Sequence, residues 1–283
     1  MILVDLNQVM ISNLMMNLQG NQGAVDESLV RHMVFNSLRM YKQKFSNKYG
    51  DLVVCCDDKH YWRKDIFPYY KASRKTDRAK SPYDWNEIFT ALNNIRDEIK
   101  ENAPYKVIQV EHAEADDIIG TICHDKGMQL GGDPILILSG DKDFQQLQEY
   151  SNVEQFSPIL KKFLKCNNPT EYLLEHAIKG DRGDGIPNIL SEPDVFVNGG
   201  RQKPVTKKKM SDMKNLYHTS NGQMWNDRFD INMQLVNLSL VPDNIKTSVL
   251  EQLNSTIEGS RRKLLDLFIS KRMNIMIESI EEF

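Results

Sequence analysis

Short apolar runs that end in a carboxylate recur along the chain. Ile135 to Leu138 sets four branched apolar residues in succession ahead of Asp141 and Asp143. Ile2 to Val4 leads into Asp5, Leu52 to Cys56 into Asp57, and Val107 to Val110 shortly into Glu114, Asp116 and Asp117. Branched apolar runs without polar alternation have the pattern of strands buried on both faces. Between them the apolar spacing changes to about 3.6 residues. Leu29, Val30, Met33, Val34, Leu38, Tyr41 and Phe45 follow Asp26, a candidate N-cap; Trp85, Ile88, Phe89, Leu92, Ile95 and Ile99 follow Pro82 and Asp84 and stop before Pro104. Strands alternating with helices predict an α/β fold, a mostly parallel central sheet flanked by helices, with every acid on the carboxyl rim where such sheets bind ligands.

Gly20 and Gly23 mark a loop after the first strand, and Val153 to Phe156 is a further candidate strand. Thr170 begins a short helix carrying Leu173, Leu174, Ala177 and Ile178, closed by Gly180. Residues 191–222 are polar and Gly-rich, with Arg201, Lys203, Lys207, Lys208 and Lys209, and predict a mobile basic surface loop. From Phe229 the spacing is helical again through Leu235, Val236, Leu240, Ile245, Leu250, Leu265, Phe268 and Ile277, which predicts a smaller helical lobe. The expected division is an α/β domain over 1–168 and a helical C-terminal domain over 169–283.

With 283 residues, 40% of them hydrophobic, the chain can bury a full core. A net charge of -3 gives no overall attraction to nucleic acid, so any such affinity must come from local segregation of charge. That segregation is present at 59–80, where KHYWRKDIFPYYKASRKTDRAK sets eight Lys or Arg against two Asp, with Tyr61, Trp62, Phe67, Tyr69 and Tyr70 interleaved. Rings that stack on bases and cations that neutralise phosphates suit a single strand. The alternative is a solvated connector with its aromatics packed beneath. Cys55, Cys56, Cys123 and Cys166 make no CxxC pair and read as reduced core residues. No basic residue precedes Arg31, which argues against a secretory signal. No apolar run approaches the roughly 20 residues of a membrane span, so a cytoplasmic location without membrane contact is expected.

Acids in a first helical turn are favoured by the backbone dipole, so one or two of Glu114, Asp116 and Asp117 need no function. Gathered on one rim with Asp5, Asp57, Asp141 and Asp143, such charges must be protonated, separated or neutralised by cations. Oxygen ligands without His or Cys clusters favour Mg2+ or Mn2+ over zinc. The six histidines are scattered singly and each reads as a surface or core residue. There is no Ser-His-Asp or Cys-His constellation, no GxxxxGK[ST] loop and no GxGxxG after a strand. Past Gly180, GDRGDGIP adds Asp181 and Asp184 in a tight turn.

In this order, Asp5, Asp57, EADD (Glu114 to Asp117), GDKDF (Gly140 to Phe144) and GDRGDGIP (Gly180 to Pro187) resemble the 5'-nuclease superfamily of flap endonucleases. Within it, YWRKDIFPYYKASR, the WNEIF helix, QFSPILKKFLK, VPDNI and the terminal SIEEF resemble the branch of ribonucleases H of T-even bacteriophages. The resemblance covers most of the chain. It implies a first metal cluster of Asp5, Asp57, Glu114, Asp116 and Asp141 with Asp117 close by, and a second of Asp143, Asp181 and Asp184. Two Mg2+ ions, with Mn2+ as substitute, are the implied cofactors. YKASR matches the family's Tyr-Lys-x-x-Arg, so Tyr70, Lys71 and Arg74, with Lys75 beside them and Arg63 further off, resemble the strand-binding residues of a helical arch over 59–80. Lys71 and Arg74 are also implied in catalysis, by stabilising charge during in-line hydrolysis of a phosphodiester. One segment departs from the pattern. The family follows its GD-x-x-D-N-I-P-G with a Gly-x-Gly-x-x-x-Ala hairpin that grips duplex and helps hold a monovalent ion, where this chain has NILSEPDVFVNGGRQ. Lys207, Lys208 and Lys209 are candidates for the missing grip.

The implied activity is metal-dependent 5'-3' exonuclease and flap endonuclease cleavage of RNA-DNA hybrid and flap or nicked duplex DNA, removing RNA primers and adjacent DNA from lagging-strand fragments in the cytoplasm of a phage host. Two other readings remain open on the residues alone: a phosphatase or phosphotransferase using a rim aspartate as nucleophile, and a non-catalytic nucleic-acid-binding replication protein. The terminal IMIESIEEF is either an inner lobe face or a docking point for a single-stranded-DNA-binding protein or sliding clamp. A monomer is the default.

Overall fold

The computed structural model describes residues 1–20, 25–129, 131–219 and 227–283. A six-stranded sheet of order β3-β2-β1-β4-β5-β6 forms its centre. The strands are β1 (Ile2–Asp5), β2 (Leu52–Cys56), β3 (Lys106–Gln109), β4 (Ile135–Leu138), β5 (Val153–Ser157) and β6 (Lys162–Leu164). β1 to β5 are parallel, with Val4 level with Val54 and Leu138, and β6 returns antiparallel along β5. Alternate residues feed opposite faces. Ile2, Val4, Val54, Leu136 and Leu138 enter one core cluster, while Leu3, Val53, Ile108, Ile135 and Ile137 enter another. Burial of both faces explains why these strands read as unbroken apolar runs.

The first cluster is covered by α1 (Leu6–Gly20), α2 (Glu27–Tyr49) and α5 (Trp85–Asn102), and by the C-terminal α11 (Arg261–Ser270) and α12 (Asn274–Glu278). The second is covered by α6 (Ala115–Gly127) and α10 (Asp243–Asn254). Asp26 caps α2 by accepting from the Leu29 amide at 3.0 Å, and Asp84 caps α5 through Asn86 and Glu87. A third cluster lies to one side. Here Phe67 and Tyr70 of the basic segment, which contains α3 (Arg63–Ile66) and α4 (Ser73–Ala79), pack on α7 (Pro169–Lys179), α8 (Lys207–Thr219) and α9 (Asp227–Val236).

Several expectations change. Gly20, expected to mark a loop, is the last residue of α1, which buries Leu6, Val9, Met10, Leu14 and Leu18; Gly23 lies outside the described residues. The basic loop expected over 191–222 contains α8, which buries Met210 and leaves Lys207 to Lys209 exposed at its start; 220–222 lie outside the described residues. The polar, Gly-rich composition of the segment is what made it read as coil. Cys55, Cys56 and Cys123 are buried and unpaired, and Cys166 is half-buried. The terminal Phe283 is fully buried against Phe35 and Phe268, so the C-terminus is part of the core. No helix among the described residues is long and apolar enough to cross a membrane.

Candidate active site

The strand order reverses between β1 and β4, and the crevice beyond the carboxyl ends of such strands is where α/β sheets bind ligands. A cleft of about 630 Å³ opens there, with Asp5, Asp57, Glu114, Asp116 and Asp141 on its walls and Lys71 and Arg74 above them. Asp5 ends β1, and its oxygens accept from the Gln8 amide at 3.0 Å and Ser139 Oγ at 3.1 Å. Asp57 follows β2 and accepts from the Ala115 amide at 2.7 Å and from Asn7. Asp116 stands in the first turn of α6, and Asp141 leaves β4 with its amide bonded to Ser139 Oγ at 3.1 Å.

Desolvation, then the neighbouring Asp57, pushes the Asp5 carboxyl up to about 7. Burial and Glu114 raise Asp57; burial, Asp141 and Asp5 raise Asp116 well above the usual carboxylate range. These acids cannot all be ionised together without added positive charge. An all-oxygen set that is short of countercharge, arranged around an open cleft, fits a hard divalent cation.

Glu114 lines the same cleft, but its oxygens are already engaged. Oε2 accepts from Arg63 Nη1 at 3.0 Å and from the Tyr70 hydroxyl at 2.8 Å, and Oε1 pairs with Lys71 Nζ. Asp117, expected beside the metal cluster, is instead fully buried beneath it. It pairs with Arg63 Nη2 at 2.7 Å, accepts from Trp62 Nε1 at 3.1 Å and completes a capping box with Glu114. Arg63 and Tyr70, expected to face a nucleic-acid strand, are also inside: they are only 2% and 3% exposed, and Arg63 Nε donates to the Leu235 carbonyl at 2.7 Å. Trp62 and Phe67 are buried as well, so for these aromatics packing displaces the stacking role. A carboxylate pair in the core and an arginine threaded under the basic segment satisfy each other, which is why all of them turn inward.

Lys71 and Arg74 do face the cleft. Burial works against the Lys71 charge, but Glu114 and Asp184 more than offset it and hold the ammonium above its ordinary range. Lys71 adopts φ 55, a left-handed conformation unusual for a side-chain-bearing residue, and its amide donates to the Asp184 carbonyl at 2.7 Å. Arg74 Nη2 pairs with Asp184 Oδ1 at 2.6 Å. Lys75 is exposed on α4.

Asp184, expected in the second metal cluster, is therefore turned toward Lys71, Arg74 and Tyr70. Its loop is closed by the Ile186 amide donating to Asp181 at 2.7 Å, and Gly180 makes the turn possible: at φ 65, a Cβ there would lie 2.2 Å from the Ile186 carbonyl. The Gly183 and Asp184 amides donate to Asp181 Oδ1 at 2.6 and 3.2 Å. Asp143 and Asp181 gather with a residue not expected there, His176 of α7, whose Nε2 lies 3.5 Å from Asp143 Oδ1 and 3.7 Å from Asp181 Oδ2. A histidine five positions before the first acid of GDRGD was the available signal. Lys207 to Lys209 lie on α8, beside α7, and none of them lines the main cleft.

A sequence model described as the 5'-3' exonuclease N-terminal resolvase-like domain matches residues 1–175, and one described as the T4 RNase H C-terminal domain matches 169–283. The chain is 30% identical to the ribonuclease H of Enterobacteria phage T4, over 99% of this chain and 95% of that protein. It is also 30% identical to DNA polymerase I of Streptococcus pneumoniae over 149 residues, 49% of this chain and 16% of that enzyme. Among solved structures, the bacteriophage T5 D15 protein co-crystallised with metal ions superposes with a TM-score of 0.62 at 16% identity, covering 89% of this chain and 97% of that one. The T5 D15 flap endonuclease in a pseudo-enzyme-product complex with DNA and metal ions gives 0.62 at 17% identity, covering 90% and 99%.

Proposed function

Because the chain belongs to the 5'-3' exonuclease family and carries the C-terminal domain of its T4 RNase H branch, we propose that the cleft at the sheet's switch point is where it cuts phosphodiesters. The protein is a nuclease, a 5'-3' exonuclease and flap endonuclease of phage DNA replication. The observation that carries the assignment to this cleft is the meeting of Asp5, Asp57, Asp116 and Asp141 beneath Lys71 and Arg74. A phosphatase acting on a small ester does not need a basic aromatic segment of this length over its cleft, and a non-catalytic binding module does not need desolvated acids at its floor.

Divalent cations, two Mg2+ with Mn2+ as substitute, when bound supply charge neutralisation at the phosphate and activation of water. Asp5, Asp57, Asp116 and Asp141 would hold one, and Asp143 and Asp181 the other. Glu114 joins only if it gives up Lys71. The rest of the mechanism belongs to the chain's own groups. Lys71 Nζ and the Arg74 guanidinium, paired with Glu114 and Asp184 in the free protein, exchange these partners for the oxygens of an entering phosphodiester. Glu114 and Asp184 thereby keep two cations aimed into the cleft before substrate arrives. Arg63 and Tyr70 act as positioning residues by fixing Glu114 from below. Lys75, and Lys207 to Lys209 further along the molecule, contribute phosphate contacts.

The substrates on this reading are RNA-DNA hybrid and flap or nicked duplex DNA, and the task is removal of primers and adjacent DNA in the host cytoplasm by a monomer. A single-stranded-DNA-binding protein and a sliding clamp are the partners that such a task brings to the same fork. The test is digestion of a flapped, nicked duplex labelled separately at each end, with Mg2+ or EDTA, and with the 5' end free or blocked by a bulky group. Short products from the 5' side, formed only with metal and suppressed by the block, are expected. Intact DNA alongside hydrolysis of a simple phosphate ester would replace this reading with a phosphatase.

A further inference from the structure

Beside the main cleft, one nitrogen sits among the carboxylates. His176 projects from the last turns of α7; Asp181 follows the helix directly, and Asp143 opens the short 3-10 helix Asp143–Glu149 that packs on α7. The imidazole is oriented from behind: its Nδ1 lies 3.3 Å from the hydroxyl of Tyr172, one turn earlier. Nε2 is buried and makes no hydrogen bond.

The spacing decides between two roles. A protonated imidazole serving Asp143 and Asp181 as an ion-pair partner closes to about 2.8 Å on at least one of them, whereas Nε2 stands 3.5 and 3.7 Å away. Two donors each about 2.1 Å from one ion lie about 3.0 Å apart in an octahedral shell and about 3.4 Å apart in a tetrahedral one, a wider spacing than a direct hydrogen bond. The three ligand atoms fall within 4.8 Å of one another, so they surround a common point and do not pair off.

We propose that His176 Nε2 is a direct ligand of the second cation, with Asp143 and Asp181, making that site a mixed nitrogen-oxygen one that prefers a first-row transition ion over Mg2+. The proposal rests on the nuclease reading for the presence of a second cation and goes beyond it in the donor set. Imidazole adds affinity for transition ions, while Mg2+ gains little from nitrogen. The two cation positions of the chain then differ in selectivity: the first is an all-carboxylate site open to Mg2+, and the second is tuned by one side chain. Tyr172 is the positioning residue for the ring.

The experiment uses untagged full-length protein loaded with Mn2+, wild type and His176→Gln, read by pulsed electron paramagnetic resonance and by Mn2+ titration. Wild type is expected to show nitrogen modulation from a directly coordinated imidazole. In His176→Gln the modulation disappears and one Mn2+ affinity falls by about tenfold or more, while Mg2+ affinity, read by competition, changes by less than about threefold. His176→Asn serves if the Gln variant does not fold. Bound Mn2+ without nitrogen modulation, modulation that survives the substitution, or no bound Mn2+ at all each overturns the proposal. Cleavage of the flapped duplex by wild type with Mg2+ is measured in parallel. If cleavage persists without nitrogen coupling, His176 fails as a ligand and the nuclease reading stands; loss of both sinks both.

Discussion

Replacing Arg63 by Met separates a buried structural cation from a nucleic-acid contact. The guanidinium is 2% exposed and bonds Glu114 at 3.0 Å, Asp117 at 2.7 Å and the Leu235 carbonyl at 2.7 Å. Methionine fills much of the volume but leaves two buried carboxylates short of a partner. Breaking a buried pair from one side costs about 3–5 kcal/mol. Glu114 retains Lys71 and Tyr70, and Asp117 retains Trp62 and the Glu114 amide, which argues for the lower end; the orphaned Leu235 carbonyl adds about 1 kcal/mol or more. A loss of about 4 kcal/mol is a large part of the roughly 5–15 kcal/mol that holds a domain together. The assay is urea unfolding followed by circular dichroism at several pH values.

The sign of the pH dependence follows from Glu114. Burial pushes its carboxyl up, but Lys71 and Arg63 outweigh burial and hold it below the ordinary range. A depressed acid stabilises the fold above its unfolded pKa and loses that contribution as pH falls through the folded value. The penalty for Arg63→Met is therefore largest near neutrality and shrinks below about pH 4.5. A variant that loses under about 1 kcal/mol while its DNA affinity drops several-fold would refute the buried-pair reasoning and return Arg63 to the strand-binding surface.

Asp141→Asn should reduce Mg2+-dependent cleavage by at least about a hundredfold with duplex binding nearly unchanged; cleavage assays and gel shifts check this, and surviving activity removes Asp141 from the site. The Asp5 carboxyl, raised to about 7 by burial and then by Asp57, makes the metal-free protein lose stability as pH rises from its unfolded value through 7. The melting temperature in EDTA should accordingly be lower at pH 8 than at pH 5.5, with added Mn2+ recovering more at pH 8; equal melting at both pH values contradicts the crowded-acid account. Changing Lys207, Lys208 and Lys209 together to Ala should flatten the salt dependence of duplex binding by up to about three unit steps of slope; an unchanged slope dismisses these lysines as the duplex grip.

The apolar runs ahead of Asp5, Asp57 and Asp141 were legible because a strand buried on both faces admits no polar alternation. The chain has to return to water at the rim, where the acids stand. The same local logic gives Asp26 and Asp84 as caps and Gly180 as a helix stop. α1 and β6 were not legible. The first has apolar residues around much of its circumference, and the second, KFL, is three residues long with its partners set only by pairing to β5. Charge was the least legible property. Asp116 and Asp117 are neighbours of one residue type, yet one faces the cleft and the other is fully buried against Arg63. Arg63 and Arg74 belong to one basic segment, yet only Arg74 lines the cleft. His176 meets Asp143 from more than thirty residues away, through the packing of α7 on the 3-10 helix. Sequence by itself determined the acids, the buried strands that lead into them and amphipathic helices such as α2 and α5, because those follow from local periodicity and from the cost of burying polar groups. Which charges pair in the core and which remain free for a cation or a phosphate was decided by tertiary structure, because a charge's partner is set by the distance and desolvation that packing imposes.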